Sequence, residues 1–580
     1  MSYFNIDATA PNIGMPNQYD AIVIGSGISG GWAAKELTGK GLRTLVLERG
    51  RDVQHVTDYP TTMKQPWEFE HRGQLLREVR EANPIISKCY AFYEGTEQFF
   101  VKDAEHPYVQ DKPFDWIRGY QVGGKSLMWA RQTQRWSDFD FDGPARDGFA
   151  VDWPIRYADL APWYSYVEKF AGISGNKDGL ASLPDGEFLP PHEWNAVEKH
   201  FQQKVAGKYA DRHVIMGRSA HITQPKPIHL EQGRAQCQRR TICERGCPYG
   251  GYFSSNASTL PWAMRTGKMT LRPHSVVHSI IYDEGKKRAI GVRVIDAQTK
   301  QMQEFYARVI FLNAAALNSN LILLNSTSNR FPNGLGNDSG VLGKYVAFHN
   351  YRAGISAEYD GMLDLTTDGR RPNSPYIPRF RNLLKQETSG PASRFLRGYA
   401  AGFSAGRGSR SDQSDLGIDL KESLLNPKLE GWHVGSHMMG ETIPKETNYV
   451  ALDSALKDPF GIPQLKISMA YDENDEKMVK DYQEQMTDMF TEAGFKNIRL
   501  RDDHRNPGLD IHEMGGVRMG KDPKTSMLNK WNQLHACKNV FVTDGACMTS
   551  TSTQNPSLTY MAMTARSVDY AVRAIKNGSV

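Results

Sequence analysis

A chain of 580 residues, 39% hydrophobic and 23% charged, is long enough for two domains and can bury a sizeable core. Its net charge of +5 is small for that length and no dense Lys/Arg cluster stands in it, which argues against a nucleic-acid partner. Apolar runs such as AIVIG at 21–25 and VIFLNAAAL at 309–317 are too short to cross a bilayer.

In chain order, the opening MSYFNIDATAPNIGMPNQYD has neither a basic nor an apolar stretch of export type. By default the chain is therefore expected in the cytoplasm. Tyr19 to Gly25 reads as a strand ending in glycine, Ile28 to Leu37 as a helix and Arg43 to Leu47 as a second strand. Residues 50–110 and 140–225 are polar, aromatic and rich in Pro and Gly, and read as partly helical inserts. Pro273 to Tyr282, Ala289 to Asp296 and Gln303 to Leu312 read as three strands separated by EGKK and AQTK turns. The alternation in GVRVID suits an antiparallel sheet. Further strands are expected at GWHVGSHMMG and NYVALD, a helix over Glu473 to Ala493, a strand at Asn539 to Asp544 and a closing helix over Ser557 to Ile575.

Gly25-Ser26-Gly27-Ile28-Ser29-Gly30 is a G-x-G-x-x-G turn between a strand and a helix. Its first glycine permits the tight turn, its second lets backbone approach a pyrophosphate at the helix N-terminus, and its third permits close helix–strand packing. Glu48 ends the next strand, where an acidic residue suits a pair of ribose hydroxyls. The pattern fits NAD or FAD. Long polar inserts follow in place of further β–α units, which favours FAD.

Five later blocks resemble the glucose–methanol–choline (GMC) oxidoreductase family, in order and across nearly the whole chain. They are Arg118-Gly-Tyr-Gln-Val-Gly-Gly-Lys-Ser-Leu-Met-Trp129, GVLGKYVAFH at 340–349, HEMGGVRMG at 512–520, VFVTDG at 540–545 and NPSLT at 555–559. The resemblance implies an α/β fold: a Rossmann-like FAD-binding domain carrying an inserted substrate domain built on an antiparallel sheet flanked by helices. The FAD domain is expected in 15–60, 112–135, 226–345 and 500–580, and the substrate domain with other inserts in 61–111, 136–225 and 346–499. Cofactor contacts are implied for Gly25, Ser26, Gly27, Ser29 and Gly30, and for Glu48 and Arg49. They are also implied for Gly123, Gly124, Ser126 and Trp129 in the flavin-covering block, and for Val277, Asp544, Asn555 and Ser557.

Within the family, GGKSLMW and the stretch from Asp152 to Tyr164 are most similar to the sugar-oxidising branch. That branch comprises bacterial FAD-dependent glucoside 3-dehydrogenases, with pyranose oxidases and the glucose and gluconate dehydrogenase large subunits as cousins. Pyranose oxidases tether their flavin through a histidine where Met128 stands here, so the resemblance implies a non-covalently held FAD. The expected reaction oxidises a secondary hydroxyl of a sugar or glycoside, at C3, to the ketone. A pyranose or glycoside oxidase that turns O₂ into hydrogen peroxide, a gluconate or glucose dehydrogenase large subunit, and a non-enzymatic flavin scaffold are the alternatives.

Alcohol oxidation needs a base for the hydroxyl proton, and histidine suits it. By motif position His512 is the base and Asn555 the orienting partner. The bland alternative is a structural histidine, with Asn555 shaping a turn before the last helix. No partner ligands stand at metal-binding spacing from His512 in the sequence. His349 and His437 are expected either on the substrate cavity or in hydrogen-bonded packing, and Met514, Met519 and Arg518 in the core.

Cys237, Cys243 and Cys247 follow C-x5-C-x3-C, which does not suit zinc. Two readings stand: ligands of an iron–sulfur cluster, or ordinary thiols with or without a disulfide. In the family pattern a further cysteine stands where this chain has Gln238, so three thiolates would hold a three-iron cluster. The resemblance also implies a small partner subunit and a cytochrome c acceptor. A signal-bearing small subunit would carry the complex to the periplasm.

Overall fold

The computed structural model describes residues 17–367, 372–410, 416–426 and 428–580. Most of the N-terminal stretch assessed for an export signal, residues 1–16, lies outside them. Among the described residues no helix is long and apolar enough to cross a membrane.

The first sheet has Gln18–Ile24 near its centre. It pairs in parallel with Thr44–Leu47 on one side and with Met302–Leu312 on the other. Thr44–Leu47 in turn pairs in parallel with Met269–Arg272. Parallel strands covered on both faces read as unbroken apolar runs, and Ala21 to Ile24 are accordingly buried. The helix Ile28–Gly39 covers one face and packs against the closing helix Ser557–Lys576. It also lies close to the helix Thr259–Arg265: a side chain at Gly31 would meet Thr259 Oγ1 at 2.4 Å.

Met302–Leu312 is shared between two arrangements. Its first half continues an antiparallel meander with Arg288–Asp296 and Ser275–Asp283, and its last residues pair in parallel with Val540–Val542. The two ends of the chain thereby meet in one sheet, as a domain with a long insertion requires.

The second sheet is antiparallel throughout, in the order Lys496–Asp502, Ala353–Tyr359, Lys428–Glu441, Tyr399–Arg410, Pro375–Ile377, Ile215–Met216. The helix Glu473–Glu492 lies across it. Its start is fixed by Asp472, whose carboxylate accepts from the N–H groups of Asn474 and Asp475. Met478, Tyr482, Met486, Met489 and Phe490 fall on one helical face and are buried in the same cluster as Ile355, Phe403, Trp432 and Val434. A third, three-stranded sheet joins Val109–Gln110, Tyr449–Lys457 and Pro463–Ser468. The strands and helices expected from the sequence stand close to their anticipated bounds. The meander is not a separate sheet but an extension of the parallel one.

Candidate active site

One cavity of about 450 Å³ runs from the glycine turn to His512 and Asn555. Its nucleotide end is built by close packing. Gly25 has φ +97° and lies against Asn313, where a Cβ would stand 2.3 Å from the carbonyl oxygen. A Cβ on Gly30 would stand 1.9 Å from the Gly25 carbonyl, so these two glycines serve the turn itself. Gly27 differs: nothing of the protein lies within 4 Å of where its Cβ would be.

Glu48 is buried at this end. One carboxylate oxygen accepts from Ser26 Oγ (2.5 Å) and Ser26 N (3.2 Å), the other from Gly50 N (3.0 Å). Burial raises its pKa above the usual carboxylate range, opposed by those hydrogen bonds. Ser26 Oγ also accepts from Gly123 N (2.9 Å), which ties the covering segment to the glycine turn. Gly124 completes that approach, standing with its Cβ direction 3.3 Å from Gly27 Cα. Met128 and Trp129 follow on the wall, Met128 buried and Trp129 donating to the Phe253 carbonyl (2.9 Å).

The His512 end rests on a short pairing between distant segments. Met514 N donates to Ala347 O (2.9 Å) and Ala347 N to Met514 O (2.8 Å). Continuing this antiparallel register sets His349 opposite His512. Asp510 clamps both: its Oδ2 accepts from His349 N (2.8 Å) and His512 N (3.3 Å). Ile511 between them has φ +62°, a strained conformation for a β-branched residue and one typical of functional turns. Gly515 and Gly516 have φ of +90° and +87°, and a Cβ on Gly516 would overlap the Asn320 amide, so the paired glycines are required by the bend.

His512 Nδ1 and His349 Nδ1 are 2.9 Å apart, and His512 Nε2 lies 3.4 Å from Asn555 Nδ2. His349 Nε2 donates to the carbonyls of Ser552 (3.0 Å) and Thr551 (3.3 Å). Burial drives the pKa of His512 well below the ordinary imidazole value, and the Lys125 ammonium acts in the same direction. Burial likewise takes His349 down to about 4. Burial raises Asp510 to about 7.

His349, Asp510 and His512 each offer a ligand atom within 4.8 Å of the others. The expectation that His512 lacks nearby ligands is corrected here: they come from segments remote in sequence. Two imidazoles on one tetrahedral metal stand about 3.3 Å apart, from bond lengths of about 2.0–2.1 Å. The 2.9 Å spacing is instead that of a hydrogen bond.

Gly25, Ser26, Gly27, Ser29, Glu48, Arg49, Gly124, Ser126, Trp129, Val277, His512, Asp544, Asn555 and Ser557 all line the cavity. Gly30 and Gly123 stand behind the wall, Gly123 against the Asn256 amide. His437 lines the cavity, with burial lowering its pKa to about 4, whereas His349 is fully buried behind His512. Met514 and Met519 are core residues. Asp544 accepts from Ala546 N (2.9 Å) and Ser319 Oγ (2.5 Å), and burial raises it to about 6.

Sequence reasoning missed Asn313, which follows the strand Met302–Leu312 in FLNAAA and lines the cavity with a buried, unpartnered Nδ2. It also missed Lys125, 3.4 Å from Glu513, whose other carboxylate oxygen is buried and unpartnered. These features test the fit of FAD. An open glycine at a helix N-terminus, a second glycine laid over it, and the unpartnered donors Asn313 Nδ2 and Arg49 Nε suit an elongated diphosphate cofactor.

Cys237, Cys243 and Cys247 form no disulfide with one another, which argues against the disulfide alternative. They sit beside the covering segment, where Arg131 pairs with Glu244 at 2.9 Å. Cys237 Sγ accepts from Arg239 N (3.5 Å) and Cys247 Sγ from Gly251 N (3.4 Å), while Cys243 Sγ stands 3.8 Å from His221 Nε2. Burial pushes the Cys243 thiol up to about 11.

Residues 19–349 and 444–564 match the N- and C-terminal models of GMC oxidoreductases. The chain belongs to the GMC oxidoreductase family. A 2-methyl-1,2-propanediol dehydrogenase of Mycolicibacterium austroafricanum is 28% identical, with 96% of each chain covered. The fructose dehydrogenase large subunit of Gluconobacter japonicus is 24% identical, over 96% of this chain and 98% of that one. Paromamine 6'-oxidase of Streptomyces fradiae is 25% identical, over 95% and 90%. A solved formate oxidase variant of Aspergillus oryzae RIB40 shares the fold, with a TM-score of 0.61 at 13% identity over 97% of this chain and 99% of that one. As a GMC enzyme the chain is an FAD-dependent oxidoreductase acting on CH–OH groups, with the nucleotide-binding sheet of that fold.

Proposed function

We propose that this flavoenzyme oxidises a secondary hydroxyl of a sugar or glycoside, at C3 of the ring, to the ketone. The observation that carries this reading is the His512–Asn555 pair on the wall of the same cavity that ends in the glycine turn. FAD, when bound, supplies the hydride acceptor. Removal of a hydride from carbon requires the hydroxyl proton to leave as well, and His512 Nε2 is placed to take it. Asn555 Nδ2 beside it can hydrogen-bond the same oxygen and fix the carbon's orientation. Gln132, Arg131, Tyr351 and His437 add polar groups suited to a polyol around the reacting hydroxyl. Relatives named as fructose dehydrogenase and gluconate 2-dehydrogenase support a sugar class. Met128 stands where the tethering enzymes have a histidine and lacks that imidazole nitrogen, which supports a non-covalently held FAD.

Anaerobic addition of glucose, disaccharides and simple glycosides to the purified enzyme should bleach the flavin absorbance. His512→Ala should keep FAD and slow bleaching by about 10³-fold, the scale of general-base catalysis. A flavin that stays yellow with every sugar tried sinks the reading. Hydrogen peroxide formed in air would assign the oxidase form, and turnover with dyes alone the dehydrogenase form.

We propose further that Cys237, Cys243 and Cys247 hold a three-iron cluster that relays electrons outward. It would serve a cytochrome c in a complex with a small subunit, which would also carry the chain to the periplasm. Two of the sulfurs accept backbone N–H groups, which stabilise thiolate charge, and the loop lies directly behind the flavin-covering segment. Iron and acid-labile sulfide measured in the purified protein test this, and the absence of both rejects it.

A further inference from the structure

We propose that His349 is a positioning residue that fixes which nitrogen of His512 carries the proton, and so makes His512 Nε2 the base. The inference rests on the alcohol-oxidising reading above for its consequence, though not for its geometry.

The wiring follows from what each atom can do. The carbonyl oxygens of Ser552 and Thr551 can only accept, so His349 Nε2 carries a hydrogen. His349 is fully buried, and burial disfavours the imidazolium more than its two carbonyl partners favour it, which leaves Nδ1 as a lone pair. A lone pair at 2.9 Å from His512 Nδ1 requires that nitrogen to be the donor. A neutral His512 protonated at Nδ1 bears its lone pair on Nε2, the atom beside the Asn555 amide hydrogens. Each link in the chain from the Ser552 carbonyl to Asn555 therefore has one direction. An isolated imidazole has no such restriction and divides between two tautomers.

The backbone enforces the pairing. Asp510 Oδ2 holds the N–H groups of both histidines, and the Ala347–Met514 pairing sets the two rings opposite each other. The rings cross at 88° with centroids 5.0 Å apart, an edge-on arrangement that lets the two Nδ1 atoms share one hydrogen but not stack. When the substrate hydroxyl loses its proton, the O–H bond breaks and an N–H bond forms at His512 Nε2. The positive charge then created on His512 is directed through Nδ1–H at the His349 lone pair. No oxidant or further reactant enters this step.

Histidine-labelled ¹⁵N NMR of the holoenzyme tests the wiring directly, with the His512 signals assigned by their loss in His512→Ala. The expected result is a protonated Nδ1 and a lone-pair Nε2 on His512, and the reverse on His349. A protonated Nε2 on neutral His512 overturns the proposal. His349→Leu removes the acceptor and should lower the limiting rate of flavin reduction by about 10²-fold, within the scale of general-base catalysis, with the sugar concentration for half-saturation little changed. His349→Asn places an oxygen acceptor where Nδ1 stands and should restore the rate to within about tenfold of the parent. Wild-type rates in a folded His349→Leu enzyme overturn the proposal. If no alcohol bleaches even the parent flavin, the functional reading has failed, and the NMR tautomers still decide the wiring.

Discussion

His512, the proposed base, is set apart from the other imidazoles by what its neighbours leave free. Its pKa lies well below the ordinary value because burial disfavours the cation and because the Lys125 ammonium opposes it, with Asp510 and Glu513 the carboxyls near the pair. A base works deprotonated, and a lowered pKa keeps it deprotonated through the range where a solvent-exposed histidine, near pH 6.5, would lose activity. The rate of flavin reduction is therefore expected to stay level from about pH 8 down to about pH 6 and to fall only in more acidic solution. Pre-steady-state rates over that range check this, and a midpoint near 6.5 would contradict it. Asn555→Asp reverses the local electrostatics, since a carboxylate beside His512 Nε2 favours the imidazolium. The acid limb should move up by about one to three units, so that activity lost at neutral pH returns in alkaline buffer. Of these residues His512 and Asn555 were legible because each stands in a compact block, HEMGGVRMG and NPSLT. His349 is expected from the sequence either on the substrate cavity or in hydrogen-bonded packing, with no partner indicated. Its role depends on a two-residue backbone pairing with Met514's segment, and no local pattern encodes which remote segment will lie opposite.

The glycine turn is the element at which sequence and structure agree most closely, yet its three glycines do different work. Gly30 is held by the Gly25 carbonyl, and Gly25 by Asn313, so both are structural demands of the strand–turn–helix. Gly27 has an ordinary backbone conformation at φ −65° and faces open space. Gly27→Val should consequently cost little thermal stability, since its Cβ meets open cavity, while sharply weakening FAD retention, since the branched side chain would fill the space proposed for the pyrophosphate. Gly30→Val should instead destabilise the fold, with loss of soluble protein, because no low-energy shift removes a 1.9 Å contact with backbone. Gel filtration followed by flavin absorbance and a melting curve separates the two outcomes. A Gly27→Val enzyme that keeps its flavin would remove the pyrophosphate from this turn. Glu48 shows the limit of motif reading at this scale. Its position was foreseeable, but not that Ser26 and Gly50 would already occupy both carboxylate oxygens.

Across the whole molecule, the cavity has walls from both large sheets. Gly25, Glu48 and Asn313 directly follow strands of the first sheet, whereas Tyr376, Gly402, His437 and Met439 stand on strands of the antiparallel one. The sequence announced most of these strands by their apolar runs. It did not announce their order, since Ala353–Tyr359 joins Lys428–Glu441 across the strands between them, and pairing at such separations is decided by packing. The two sheets have separate hydrophobic clusters, one around Ile22 and Leu312 and one around Phe201, Trp432 and Met486. A ligand touching both bodies stabilises each only while they remain docked. At a free FAD concentration of about 100 times Kd, binding to the native state alone contributes about 2.7 kcal/mol. Calorimetry of the holoenzyme should thus show a single, higher transition, and removal of FAD should lower it and separate the melting of the antiparallel sheet from that of the parallel one. Equal melting profiles with and without FAD would mean that the cavity's two walls do not both hold the cofactor.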